Sequence, residues 1–486
     1  MRDSIVDEFS SVDLGDARLN RRAARIGEAW NAQPSASFPD IARSPAEIEG
    51  LYGFVENPNV SPQQIHASHA HATCLRIDAS YLGRTVLVVH DTTSLCFPGD
   101  VHREGMGWLG RQKQGFFAHL SLALASDGSR CPLGVVGVSI VMRARPDAPE
   151  PGKKKKKLMG RECAANPNSE SRRWPAAVDE TEALLRGHAI PIHVMDREAD
   201  SYALLAKLVG EGKRFVIRVR VLDRVVTTDA DGHAKREPLR GVATRSVPVA
   251  SREIEINRRR KSKFADANKK HPPRMERSAK MEFAAHRVRM QRPKSLGEHI
   301  AATIDVNVVE TREIETPEGV EPIHWLIVTS EPIGTADEVL CVVDHYRARW
   351  TIEELNKAIK TGCAYESRQL ESAHALLIAF ALCMPIAWQM LALRHQSREL
   401  PDAPAQTVLS DERLEVLAAI ARSPLPAKPT VRDVFFAIAA LGGHLKKNGP
   451  PGWITLRKGL DDLIFAERVW RARDREDVES SERSGG

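Results

Sequence analysis

The sequence predicts an α/β protein whose mixed-sheet core is flanked by helical segments at both ends. Three observations carry that expectation. Serine-capped helical patterns fill the first 75 residues, short β-branched runs alternate with helical patterns from about residue 76, and everything after about residue 372 looks helical. These limits give three expected domains: 1–75, 76–372 and 373–486.

In the first segment, DLGDARLNRRAARIGEAW puts Arg18, Arg21, Arg22 and Arg25 on one helical face and Leu19, Ala23, Ile26 and Trp30 on another. Ser44-Pro45-Ala46-Glu47 combines a capping serine, a first-turn proline and a reciprocating glutamate, and Ser61-Pro62-Gln63-Gln64 repeats the pattern. Small helical units with an arginine face suit DNA, although a partner-binding bundle would look similar. The next runs read as strands: Thr85 to His90 ending at Asp91, Leu120 to Leu124, Val135 to Val141, and Ile192 to Met195 ending at Asp196. A helix from Tyr202 to Leu208 and a strand from Phe215 to Val221 follow. Between about residues 222 and 320 basic, proline-containing sequence is interleaved with short runs such as Ser251 to Ile256 and Ile304 to Val309, which reads as a β-rich insertion with a mobile basic loop. Trp325 to Thr329 restores the core. Thr335-Ala336-Asp337-Glu338 caps the helix leading to Tyr346, and Gly362 is expected to end it.

Composition bounds the function. At 486 residues, 42% hydrophobic and 28% charged, the chain is a globular protein with room for two or three cores. A net charge of +6 does not by itself imply nucleic acid. Its distribution says more: Arg258, Arg259, Arg260, Lys261, Lys263, Lys269, Lys270, Arg274 and Arg277 crowd one stretch, and Lys153 to Lys157 are uninterrupted. Seven dispersed cysteines without a CxxC pair imply free thiols in a reducing compartment. The start, MRDSIVDEFSS, has no apolar core and is not expected to be a secretory signal. Ala375 to Leu393 is long and apolar enough to span a bilayer, but Pro385, Gln389 and its alanine content favour a buried helix.

The chemistry concentrates in one helix, where Tyr346, Arg349, Glu353, Lys357 and Lys360 share a face opposite Ala348, Ile352, Leu355 and Ile359. One carboxylate in a column of cations suits a metal ion acting on a nucleic-acid backbone; the alternative is a solvated face laced with pairs such as Glu353 to Lys357. Asp91 and Asp196, each expected at a strand end, complete a candidate three-carboxylate site. Three acids converging from two strands and a helix can hold magnesium and support a two-metal displacement. A glycosidase could use paired acids, but would not need the neighbouring cations and usually carries more than 5% aromatics. Trp325 either stacks an extruded base or fills the core. Arg214 and Arg218 are phosphate contacts or surface residues, and His90 and His119 fit a supporting role, since no grouping suggests zinc.

YRARWTIEELNKAIKTG at 346–362 resembles the YREK signature of the insertion-sequence-four family of DDE transposases, filled by Tyr346, Arg349, Glu353 and Lys360. HDTTSL, holding Asp91, and MDREADSY, holding Asp196, resemble its two aspartate motifs. The likeness extends through EGLYGFVENPNVS, ESRRW, RFVIR, WLIVTSEP and AIAALGGH, nearly the whole chain. It implies a ribonuclease-H-like catalytic core with the β-rich insertion, between a helical DNA-end-binding domain and a helical dimerisation domain. The implied activity is cut-and-paste transposition with two Mg2+ ions, Mn2+ being a possible substitute: nicking, hairpin formation and resolution, then strand transfer. Asp91, Asp196 and Glu353 would be the catalytic and metal residues, and Tyr346, Arg349, Lys357, Lys360, Trp325 and Arg218 the DNA contacts. The implied partners are transposon-end DNA, target DNA and a second copy in a homodimer, with no membrane, in a cytoplasmic and nucleoid-associated bacterial setting. A non-catalytic regulator of transposition and a structure-selective nuclease are the competing expectations.

Overall fold

Capping chemistry sets the helix starts. The computed structural model describes residues 5–99, 102–146, 170–230, 233–256, 273–445 and 450–484. Helix α1 (Ala17–Ala32) starts where the Asp16 side chain accepts from the Arg18 backbone, and α2 (Phe38–Ile41) follows. Ser44 accepts from Glu47 N–H to start α3 (Pro45–Val55), and Ser61 from Gln64 N–H to start α4 (Pro62–Tyr81). Arg18, Arg21, Arg22 and Arg25 are exposed on α1, while Ala23, Ile26 and Trp30 are buried. The expected boundary at 75/76 falls inside α4, which packs on the sheet and on a C-terminal helix.

Twelve strands form one mixed sheet: β1 (Thr85–Phe97), β2 (Trp108–Gly110), β3 (Lys113–Ala125), β4 (Pro132–Val141), β5 (Ile190–Met195), β6 (Arg214–Arg218), β7 (Val225–Ala230), β8 (His233–Pro238), β9 (Ala250–Ile256), β10 (Arg277–Gln291), β11 (Thr303–Ile314) and β12 (His324–Thr329). Their order is β2-β3-β1-β5-β6-β12-β11-β10-β7-β8, with β4 on β3 and β9 on β10. Only the central β1, β5 and β6 run parallel. Helices α5 (Arg173–Leu185) and α6 (Tyr202–Gly210) flank them, and short α7 (Leu239–Ala243) packs on β7 and β8.

Two expected strand ends are corrected. Strand β1 does not stop at Asp91; it continues to Phe97, because its antiparallel pairing with β3 outlasts its parallel pairing with β5, which ends at Val89↔Val194. The stretch 222–320 is β-rich and lies in the chain between β6 and β12, which pair with each other, and its strands extend the core sheet. Its strand β11 pairs along β12 from Asn307↔Thr329 to Arg312↔His324, so the same sheet simply continues. Strand β6 also ends at Arg218, short of the expected Val221. Of the basic stretches, Lys153 to Lys157 and Arg258 to Lys270 lie outside the described residues.

After β12 come α8 (Ala336–Ala348), with the full Thr335/Glu338 capping box, and α9 (Trp350–Lys357). Then follow α10 (Ala373–Glu399), α11 (Asp411–Ile420), α12 (Val431–Leu441) and α13 (Trp453–Ser484). Helix α10 is the apolar segment noted above; 83% of its most apolar window is buried, which makes it a core helix. It packs against α4 and β4, and Trp388 Nε1 donates to Pro132 O at 2.9 Å.

The N-terminal segment is tied in by a buried ion pair. Glu8, fully buried, bonds Arg76 and His69 Nδ1, while the Arg76 guanidinium lies 3.9 Å from the Trp388 ring centroid. His69 Nε2 accepts from Val135 N–H at 3.0 Å, so the ring is neutral and its Nδ1–H donates to Glu8. Burial works to raise the Glu8 carboxyl, but His69 and Arg76 together hold it below the usual range. Burial also depresses His69, and pushes neighbouring His66 down to about 3. All three groups have folded values below their unfolded ones, so their contribution is complete above about pH 6.5 and lost with acid, first through the histidines and then through Glu8. Urea unfolding should therefore show stability falling below pH 6.5 by up to about 1.4 kcal/mol per pH unit for each group that titrates. Glu8→Ala, which strands Arg76, should cost about 3–5 kcal/mol.

Candidate active site

Parallel pairing of β1 and β5 runs at a constant offset from Thr85↔Ile190 to Val89↔Val194, so Asp91 and Asp196 lie level, two residues beyond the last pair. Glu353 comes from α9, which packs on β1. Asp91 stands within electrostatic reach of both Asp196 and Glu353. Burial, together with Asp196 and Glu353 and against the pull of Arg349, pushes the Asp91 carboxyl up to about 6.

Each acid is presently engaged elsewhere. Glu353 Oε1 accepts from Arg349 Nη2 at 2.6 Å, Asp91 Oδ2 from Asn356 Nδ2 at 3.0 Å, and Asp196 Oδ1 from Glu198 N–H at 2.7 Å. Consistent with this, no group of three or more His, Cys, Asp or Glu side chains among the described residues is arranged to hold a metal ion. The donor set nevertheless fits a hard divalent cation. It consists of carboxylate oxygens, with Asp91 raised first by burial and further by the two neighbouring acids, and with the guanidinium of Arg349 set against them.

The signature helix departs from a straight α-helix. It breaks at Arg349, which ends α8 and precedes α9, and closes in a π-turn over Ala358–Gly362. A π-turn adds a residue, so Lys360 does not fall where uniform α-helical spacing would put it. Ala348, Ile352, Leu355 and Ile359 are buried as expected. The cationic face is less open than expected. Tyr346 is only 3% exposed, with its ring edge-on to Trp325 at 5.6 Å, and Arg349 is buried beside Asp91 and Glu353. Lys360 is half-buried, and Lys357, whose side chain is 56% exposed, pairs with Glu354 at 2.7 Å, not with Glu353. Gly362 does not supply a left-handed cap; a Cβ there would meet Met390 at 3.0 Å, and the left-handed residue is Ala364.

Trp325 is half-buried on β12, with the Arg218 guanidinium 5.6 Å from its ring centroid. Arg214 is instead committed to Glu331 and to Thr85 Oγ1.

Beneath the acids lies a polar network that spacing did not reveal. Glu182 accepts from Lys213 and from His193 Nε2; His193 Nδ1 then accepts from His90 Nε2 at 2.9 Å, and His90 Nδ1 from Ser121 Oγ at 2.9 Å. That order of donors leaves both rings neutral, and burial depresses both. On the other side Arg173 Nε donates to Thr92 Oγ1 at 2.9 Å and its Nη2 to Glu198 at 2.9 Å. Thr92 follows Asp91 and Glu198 lies two residues past Asp196, so one guanidinium clamps the two backbone segments that carry the aspartates. His119 Nδ1 bonds the same Thr92 hydroxyl. Asn356 was also missed, although ten residues after Tyr346 it lies only about 20° beyond Arg349 on an α-helical wheel.

Residues 1–60 match the transposase DNA-binding family and residues 160–387 the transposase DDE domain family. A cryo-EM structure of piggyBac transposase in a synaptic complex with hairpin DNA is loosely similar, at 12% identity over 82% of this chain and 74% of that one, with a TM-score of 0.38. The clamp itself is testable: Arg173→Ala, which leaves Thr92 and Glu198 without their shared donor, should lower the unfolding free energy by about 1–3 kcal/mol in urea titration.

Proposed function

We propose that this chain, which matches a transposase DNA-binding family and a transposase DDE domain family, is a DNA transposase, a cut-and-paste enzyme of the insertion-sequence-four type. The observation that carries the proposal is the convergence of Asp91, Asp196 and Glu353 from two adjacent parallel strands and one helix. The strand order β4-β3-β1-β5-β6, antiparallel on one side of β1 and parallel on the other, supports a ribonuclease-H-like core.

Two divalent ions held by these acids, Mg2+ or Mn2+, would activate the attacking oxygen and stabilise the leaving one in an in-line phosphoryl transfer. The chain's own groups do the rest. Arg173 and the His90–His193 bond hold the aspartates level. Arg349 neutralises part of the acid cluster, and a guanidinium released from Glu353 can take a phosphate oxygen in its place. Lys357 and Lys360 line the approach of the DNA backbone, with Tyr346 buttressing Trp325 from behind. The half-exposed Trp325 ring, flanked by Arg218, is placed to stack a base turned out of the duplex during hairpin formation. The arginine face of α1 fits the transposon end. Target DNA would be joined by the freed 3′ ends, within a homodimer that synapses two ends in the cytoplasm.

The Arg349–Glu353 pair also favours a second reading, a non-catalytic DNA-binding regulator, because it occupies an oxygen the metal needs. An end-cleavage assay with Mg2+ separates the two. Asp91→Ala, Asp196→Ala and Glu353→Ala should each lower nicking at least about a thousandfold while leaving end binding largely intact. Persistent cleavage in all three would sink the assignment. Trp325→Ala should slow hairpin formation about ten- to a hundredfold, as expected from losing one stacked base, with a smaller effect on the first nick. Equal loss at both steps would assign the ring to packing alone.

A further inference from the structure

We propose that Asn356 is a further ligand of the divalent-cation site, a neutral oxygen donor whose amide turns over when the ion binds. This rests on the three-acid reading above. Asn356 sits one helical turn after Glu353 and is half-buried beside the site. Its Nδ2 donates to Asp91 Oδ2 at 3.0 Å, linking the helix acid's element to the strand acid. The other end of the same amide, Oδ1, is buried and has no hydrogen-bond partner.

A buried amide oxygen without a donor calls for an explanation, and the neighbourhood supplies one. Without a cation, the acceptor-only oxygen of Asp91 selects the amide N–H, and Oδ1 is left without a donor. With a divalent ion against Asp91, the preference inverts. Oxygen is the atom a hard cation takes, and a half-turn about the terminal torsion exchanges the two ends of the amide with little displacement of other atoms. The same side chain thus holds Asp91 in place before the ion arrives and contributes a fourth oxygen afterwards. Being neutral, it adds a donor without adding to the repulsion among the three carboxylates.

The test is a titration of the DNA-free, full-length chain with Mn2+, reading free ion by its electron paramagnetic resonance signal. Asn356→Leu, branched at the same carbon, and Asn356→Ala, the better helix former, should both weaken Mn2+ binding on the order of tenfold, with melting curves of the metal-free protein confirming the fold. Asp91→Ala is titrated in parallel and should weaken it further. Wild-type or tighter affinity in the Asn356 variants, alongside a loss in Asp91→Ala, would show that the amide is only a tether and overturn this proposal alone. Wild-type affinity in Asp91→Ala would bring down the three-acid reading and this one with it.

Discussion

The level placement of Asp91 and Asp196 on neighbouring parallel strands is the constraint on which the site depends. Strand register is discrete: a slip of one residue would turn every side chain of β5 to the opposite face. The apolar strand residues make that slip costly, since Leu87, Val89, Ile192 and Val194 are all essentially inaccessible to solvent. Hydrophobic burial therefore sets the register, and the register brings like charges together. Burial first, and the neighbouring acids second, raise the Asp91 carboxyl, and Arg349, a buried guanidinium, faces the cluster and opposes that rise.

Burial alone does not hold the strands at fixed relative height, because apolar contacts are non-directional. The histidine network supplies the directionality. His90 precedes Asp91, and its single bond to His193 crosses the β1–β5 seam. Ser121 on β3 and Glu182 on α5 terminate the chain at either end, so three sheet strands and one helix are joined by bonds that work in one geometry only. Arg173 repeats the device on the loop side of the aspartates. The histidine rings are fully buried, where a partly satisfied arrangement would be unfavourable, and that is what makes their network specific.

What could be read from the chain beforehand was mostly local. Serine and threonine caps at Ser44, Ser61 and Thr335 act within four residues, and each accepts from the N–H three residues on as expected. Glu47, however, accepts from Arg43 N–H and not from Ser44, and of the three only Thr335 with Glu338 closes the reciprocal box. Apolar runs announced β5 and β12 for the same reason. The continuation of the sheet through β11 and β10 was illegible, because strand partners such as Val308 and Val328 are chosen by long-range packing that leaves no mark on spacing. The run to Asp91 looked complete because the apolar pattern weakens there, yet β3 carries β1 on for six more residues, as far as Phe97↔Gln114. The π-turn takes Lys360 off uniform α-helical spacing, and nothing in AIKTG betrays it. Asn356 escaped notice because its role depends on the strand opposite. Arg173 lay within ESRRW, but what it clamps is defined only by the fold.

The flanking helices bear on the site through the same core. Apolar residues from α1, α3 and α10 belong to one continuous cluster with β1, β3, α8 and α9. Arg368, buried shortly after the π-turn, donates to the carbonyls of Pro34 and Cys363 and stacks 4.3 Å from the Trp30 ring centroid. A single guanidinium thus joins the end of α1 to the chain segment that follows Lys360. Elsewhere the Glu8–Arg76 pair and Trp388 tie the N-terminal segment to α4 and α10. Charged groups buried in pairs stabilise little, but they are strongly selective about geometry, since either partner left alone is severely penalised. Together with the shared apolar cluster, these links join α1 to the elements that carry the acids. DNA held by α1 would then be presented to Asp91, Asp196 and Glu353 at a distance set by packing, so that grip and chemistry are coupled through the core itself.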